Sequence, residues 1–313
     1  MPSDFAACMN HADPGRMTAV LAANLASFCI ESLLCGVFDF LTIVSIYLCT
    51  LRTRQHPARS GRPELTASVI MACGVLLLAV TAHWILSVCR LFLGLGGRAR
   101  VVSAAAEYFS DTAQPVFVAE VFLVALSILL ADAILVFRLW IVWSRNRIVV
   151  VPPLCGLVIL LACGVGSVYS AADKIRDGAW TMAGLICTLC TTLYCSCMIA
   201  GKLIHTQCHT QRAGVHLKLF SIVHIFIESA AFYTAWTLFF IITFGTRSPV
   251  AYVGVACLPA TAGVACTLIN FRICLGRFSM DREGRPGSAT WEQTPQFTTW
   301  IPEWVSETCD GVV

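Results

Sequence analysis

Charge is what this chain has least of. Charged residues make up 12% of it, against about 25% in an ordinary soluble domain. Lysine is rarer still, with Lys174, Lys202 and Lys218 the only ones present. A chain that is also 58% hydrophobic cannot cover a water-facing surface, which excludes an ordinary cytosolic enzyme. The net charge of +3 is small and dispersed, so nucleic acid is not an expected partner. Also missing are an activated nucleophile, a metal-ligand set and a glycine-rich phosphate loop. Neither enzymatic activity nor a cofactor is expected. No basic start followed by a short apolar core stands at the beginning, because Met1 to Arg16 is polar. The first apolar segment is therefore expected to act as its own uncleaved signal.

Cysteine, in contrast, is abundant at 17 residues. Most of these lie inside apolar runs, Cys29, Cys35, Cys73, Cys163, Cys195, Cys257 and Cys266 among them, where the side chain behaves as a small, soft hydrophobe. Cys187 and Cys190 have zinc-ribbon spacing, but no second pair accompanies them, so packing is the better reading.

What the chain has in quantity is long hydrophobic runs. Seven recur, at about 29–51, 65–89, 116–143, 149–169, 179–201, 219–244 and 250–275. Each is long enough to cross a bilayer as a helix, for which about 20 apolar residues suffice. Residues 17–28 are apolar as well and are read as an interfacial stretch. The expected fold is all-α, a polytopic bundle of seven transmembrane helices in which neighbours in sequence pack antiparallel. It divides into a short outer amino terminus (1–17), the helical domain (18–276) and a disordered cytosolic tail (277–313). The first, third and fifth connections and the tail hold thirteen lysines and arginines, from Arg52 to Arg285, against six on the other side. That excess places the amino terminus outside and the carboxyl terminus in the cytosol. Tyr47, Trp140, Trp143, Tyr169 and Trp180 fall near segment ends, as interfacial aromatics do.

Polar residues inside the runs form stripes. In the third segment Glu120 and Arg138 are about five turns apart and share a face with Ser127 and Ala131, and Asp132 lies beside them. Hydrocarbon penalises a central charge by roughly 2.5–3.5 kcal/mol on the mildest scales, so the stripe is expected to look inward. His83, Ser87 and Arg90 share a face in the second segment, as do Asn24 and Glu31 in the first, with Asp39 deeper. In the sixth, Ser221, His224, Glu228, Ala231 and Ala235 follow helical spacing. The expectation is a buried Glu228 paired with His224 or Arg138, and a lipid-facing Phe240. By depth this yields an outer polar pocket of Glu31, His83, Arg90 and Glu120, and an inner cluster of Asp132, Arg138, His224 and Glu228. Such groups either fix helix packing or form a ligand or ion site.

The connections offer less. The long one at 91–114, with Glu107, Tyr108 and Asp111, reads as a solvated loop. That at 202–218, with His205, Cys208, His209 and His216, reads as a mobile basic loop rather than a metal site. Trp291, Trp300 and Trp304 in the tail are read as candidate anchors for a cytosolic signalling partner. Gly156, Gly164 and Gly166, the face Gly184–Thr188–Thr191–Cys195, and Ala256, Gly263 and Asn270 are expected at close helix contacts. Pro259 should kink the seventh helix, while Pro152 and Pro153 fall in the first turns of the fourth.

Several of these residues carry a resemblance. Ile30-Glu31-Ser-Leu-Leu-Cys-Gly36, the run from Asp132 to Trp143, Pro152-Pro153, Ile227-Glu228-Ser229 and Asn270-Phe-Arg272 resemble a group of uncharacterised fungal seven-transmembrane-helix proteins. The resemblance covers nearly the whole bundle and neither tail. It implies a topology and no activity. Marks of G-protein-coupled receptors are missing: Phe137-Arg138-Leu139 replaces the acidic-Arg-aromatic triplet, no cysteine opens the third helix, and no Asn-Pro pair followed by tyrosine closes the seventh. A retinal protein is expected less still, since the last helix has no lysine for a Schiff base. Two functional readings follow. One is a receptor-like sensor in the plasma membrane, with a small ligand and a cytosolic partner. The other is a carrier for a small solute or ion, coupled to protons, though no three-plus-three repeat supports it.

Overall fold

A computed structural model describes residues 14–55, 63–96, 114–143, 146–173, 178–212, 219–246, 248 and 250–283. Among them the chain forms seven helices and no strand: α1 Pro14–Gln55, α2 Pro63–Gly96, α3 Pro115–Val142, α4 Arg147–Ala172, α5 Ala179–Arg212, α6 Leu219–Gly245 and α7 Ala251–Glu283. Each contains a stretch long and apolar enough to span a membrane. Several helices outrun the apolar segments that predict them. Residues 17–28 continue α1 rather than lying apart, α5 runs on through residues 202–212, and α7 includes 277–283 of the expected tail. The reason is that only the part within hydrocarbon has to be apolar. Beyond it lysine, arginine and glutamine are good helix formers. Residues 91–96 likewise belong to α2, while 97–113, 213–218 and 284–313, with Trp291, Trp300 and Trp304, lie outside the described residues.

Consecutive helices pack on one another, and α7 returns to α1, closing a ring. Two of its members are the most buried. The apolar window of α7 is 72% buried and that of α3 is 50% buried, whereas the other five range from 22% to 33%. α3 touches α2, α4, α5 and α7, so its inward stripe meets protein on several sides. Glu120, Ser127, Ala131 and Arg138 are all buried there.

Small residues bring the backbones together. A Cβ at Gly263 would lie 2.7 Å from the ring of Phe38, and one at Gly156 would lie 2.6 Å from Thr191 Oγ1. With lipid as apolar as the side chains themselves, such close packing is a main source of helix association. Pro152 and Pro153 stand inside α4, deeper than its first turn. Pro153 has no N–H for the carbonyl of Val149, and the Tyr194 hydroxyl of α5 donates to that oxygen at 3.1 Å. The proline thus creates an interhelical bond instead of an orphaned acceptor.

One expectation about α6 is overturned. Glu228 is exposed, as are Ala231 and Ala235 of its stripe, while Phe240 is buried at 2% exposure. The face of α6 that packs is Ser229, Tyr233, Thr237 and Phe240. Glu228 thus lies on the outward face of α6, turned away from the packed side chains of Ser229 and Tyr233. The helical period was right and the buried face wrong by about one residue, or about 100°.

Candidate functional site

Glu31 of α1, His83 and Arg90 of α2 and Glu120 of α3 converge near the end of the bundle where α1 enters its apolar span. Sequence spacing puts each on an inward stripe, and the ring of helices brings the stripes together. Glu31 Oε1 lies 2.9 Å from His83 Nδ1 and accepts a hydrogen bond from Ser87 Oγ at 3.1 Å. Arg90 Nη1 donates to Glu120 Oε2 at 2.9 Å, and its guanidinium lies 4.7 Å from the centre of the Phe117 ring. Next door, Trp84 Nε1 donates to Ser32 Oγ at 3.0 Å and ties α2 to α1. All four ionisable residues are less than 10% exposed.

They surround a cavity of about 70 Å³, to which Asn24, Phe117 and, from α7, Tyr252 also contribute. That volume holds a few water-sized groups. Its walls carry acids, a guanidinium, an imidazole and hydroxyls, with Val121, Val124 and Val255 between them. This is the chemistry of a site for a small polar molecule with both donors and acceptors. Toward the other end the cavity stops at an apolar layer. Cys35 and Phe38, Val80 and Leu76, Val124 and Ile128, and Leu258 follow the polar residues by one or two turns and are all buried in one cluster.

Below that layer the four residues expected as an inner cluster do not assemble. Asp132 is 2% exposed and accepts from Thr188 Oγ1 at 2.6 Å and Thr192 Oγ1 at 3.4 Å, both on α5. Thr188 lies 3.3 Å from the hydroxyl of Tyr233 on α6. Arg138 instead donates to the carbonyl of Cys266 on α7 at 2.9 Å. Six residues turn a helix through about 600°, so Asp132 and Arg138 point some 120° apart. Glu228 faces outward, and the His224 side chain lies outside the described residues. Asp39 joins neither group; its Oδ2 is 4.0 Å from Cys35 Sγ.

Sequence reasoning missed Thr188, Thr192 and Tyr233 as partners of Asp132. Their signal was present, since Thr188 and Thr192 are one turn apart on α5, but small hydroxyls at that spacing also serve plain helix packing. Among the described residues no three His, Cys, Asp or Glu side chains come together as a metal site. No family model, curated protein or solved structure matches the chain. Seven apolar helices nonetheless make it a multi-pass membrane protein.

Proposed function

We propose that this chain is a receptor-like seven-helix sensor whose ligand pocket is the cavity among Glu31, His83, Arg90 and Glu120. The observation that carries this reading is the confinement of the polar cavity to one half of the bundle, above a packed apolar layer. A sensor needs a pocket on one side and a seal beneath it. α7 is placed to pass on what happens there. Tyr252 and Val255 line the cavity, Pro259 lies buried one turn further on, and Cys266 receives Arg138 beyond the layer. Proline leaves the Val255 carbonyl without its helical donor, which gives the helix a natural bending point. The ligand is small and polar. The membrane is the plasma membrane, and the cytosolic side, where a signalling partner would dock, is the side rich in arginine. The fungal seven-helix group remains the family that the motifs suggest.

Two experiments test this. For the sensor, small polar compounds are screened by thermal shift against the detergent-solubilised protein. Hits should stabilise the native chain and lose at least five-fold in affinity in Ser87→Ala or Tyr252→Phe, which leave both ion pairs in place. Vesicles holding the protein should not accumulate those hits. Uptake against an empty-vesicle control would replace the sensor by the carrier of small solutes or protons. For orientation, a glycosylation acceptor inserted between α2 and α3 should be modified and one between α5 and α6 should not. The opposite pattern reverses the topology.

A further inference from the structure

The walls of the outer cavity carry more negative charge than their own contacts use. Glu31 and Glu120 bring two carboxylates and Arg90 one guanidinium. His83 needs only one proton, on Nδ1, to donate to Glu31, and with its ring neutral the walls sum to one net negative charge. The contacts also leave oxygens unused. Those from His83 and Ser87 both end on Glu31 Oε1, and the bond from Arg90 ends on Glu120 Oε2. Among the described residues no donor reaches Glu31 Oε2 or Glu120 Oε1, and neither oxygen is closed to water. Glu31 is 2% exposed and Glu120 7%, and both line the cavity, so the cavity is where these oxygens can meet a donor.

We infer, resting on the reading of this cavity as the sensor's ligand pocket, that its ligand is a small organic monocation, a primary ammonium compound. An ammonium group carries three donors and no acceptor, which is what two carboxylates with unused oxygens require. Its single positive charge cancels the net charge of the walls, and an uncompensated charge is costly in a site this far from water. An anion would meet both carboxylates, while the Arg90 guanidinium is already held by Glu120 and Phe117. A bare metal ion would find valines where it needs further oxygens. Val121, Val124 and Val255 suit instead the carbon chain of an organic cation. A volume of about 70 Å³ has room for only a few non-hydrogen atoms. Asn24 and Tyr252, also in the walls, can take a polar group at the ligand's other end.

The test compares three probes of matched size on the full chain in detergent, at neutral pH and fixed ionic strength: ethanolamine (a cation there), ethylene glycol (neutral) and glycolate (an anion). Ethanolamine should raise the melting midpoint saturably, by about 3 °C at ten times its half-saturating concentration. That concentration should lie in the millimolar range expected of so small a ligand. Ethylene glycol and glycolate should leave the midpoint where it is. Glu31→Gln keeps an acceptor for His83 and Ser87 but removes the charge, and should weaken ethanolamine at least ten-fold. An unchanged response in that variant overturns the inference. Should it fail to fold, Asn24→Asp decides: the added charge should tighten ethanolamine at least three-fold, and an unchanged value overturns the inference. Stabilisation by glycolate or ethylene glycol without ethanolamine overturns the ligand class and leaves the pocket standing. If none of the three acts, the ligand class falls. The sensor reading falls with it only if the wider screen yields no hit sensitive to Ser87→Ala or Tyr252→Phe.

Discussion

Glu120→Ala should destabilise the bundle by about 3–5 kcal/mol, because it leaves the Arg90 guanidinium buried without its carboxylate. The two side chains are only 10% and 9% exposed, so water cannot rescue the survivor. Phe117 remains beneath the guanidinium, but a cation–π contact is worth about 0.5–2 kcal/mol, too little to make up the difference. Thermal or denaturant unfolding in detergent measures the loss. The double variant Arg90→Met/Glu120→Leu removes both charges and should recover most of the stability, since replacing a buried pair by apolar groups is often neutral. It should also abolish binding of any ligand that the cavity holds. Recovery of binding in the double variant would mean that the pair only fastens α2 to α3. A loss below about 1 kcal/mol in Glu120→Ala would show that water reaches the pair.

Phe240→Ala should be costly as well, and Glu228→Ala should be nearly silent. The Phe240 ring is buried against α7, where a Cβ at Gly254 would come within 2.5 Å of it, and it meets Phe244 edge-on at 5.8 Å. In a bilayer the ring gains little by leaving water, since the unfolded reference is already in lipid. What is lost is contact. Truncation opens about 100 Å³, which at about 24 cal/mol per Å³ amounts to about 2.4 kcal/mol. Gly254→Ala alone should cost about 1–3 kcal/mol through overpacking. In the Phe240→Ala background the added methyl has room, so the two changes should couple by at least about 0.5 kcal/mol. Glu228, exposed on the outward face of α6, should change stability by about 0.5 kcal/mol or less on truncation. Additive effects at Phe240 and Gly254 would place the ring against lipid. A large loss at Glu228 would turn α6 inward at that point.

The outer site shows how far spacing alone reaches. Asn24 and Glu31 on α1, and His83, Ser87 and Arg90 on α2, share faces by helical period, and all of them line the same cavity. Hydrocarbon supplies the reason. Ionisable groups deep in a span are driven to the one side where other helices can meet them. The seven helices were legible for a similar cause, since a bilayer requires each crossing to satisfy its own backbone and to be apolar over a fixed length.

What the sequence determined by itself is therefore the number of crossings, the inward stripes of α1, α2 and α3, and the pocket that those stripes form. The partner of each polar group was decided by tertiary structure. Arg138 and Asp132 are close in sequence but diverge around α3, one to the Cys266 carbonyl and the other to hydroxyls of α5. Glu228 looked central by its stripe and proved exposed, because the bundle buries the neighbouring face with Ser229 and Tyr233 instead. A helical period fixes which residues share a face. Which face the neighbours cover depends on how helices distant in sequence are rotated, and that rotation is set by the packing of residues such as Phe38 on Gly263 and Phe240 on Gly254, which no local pattern encodes.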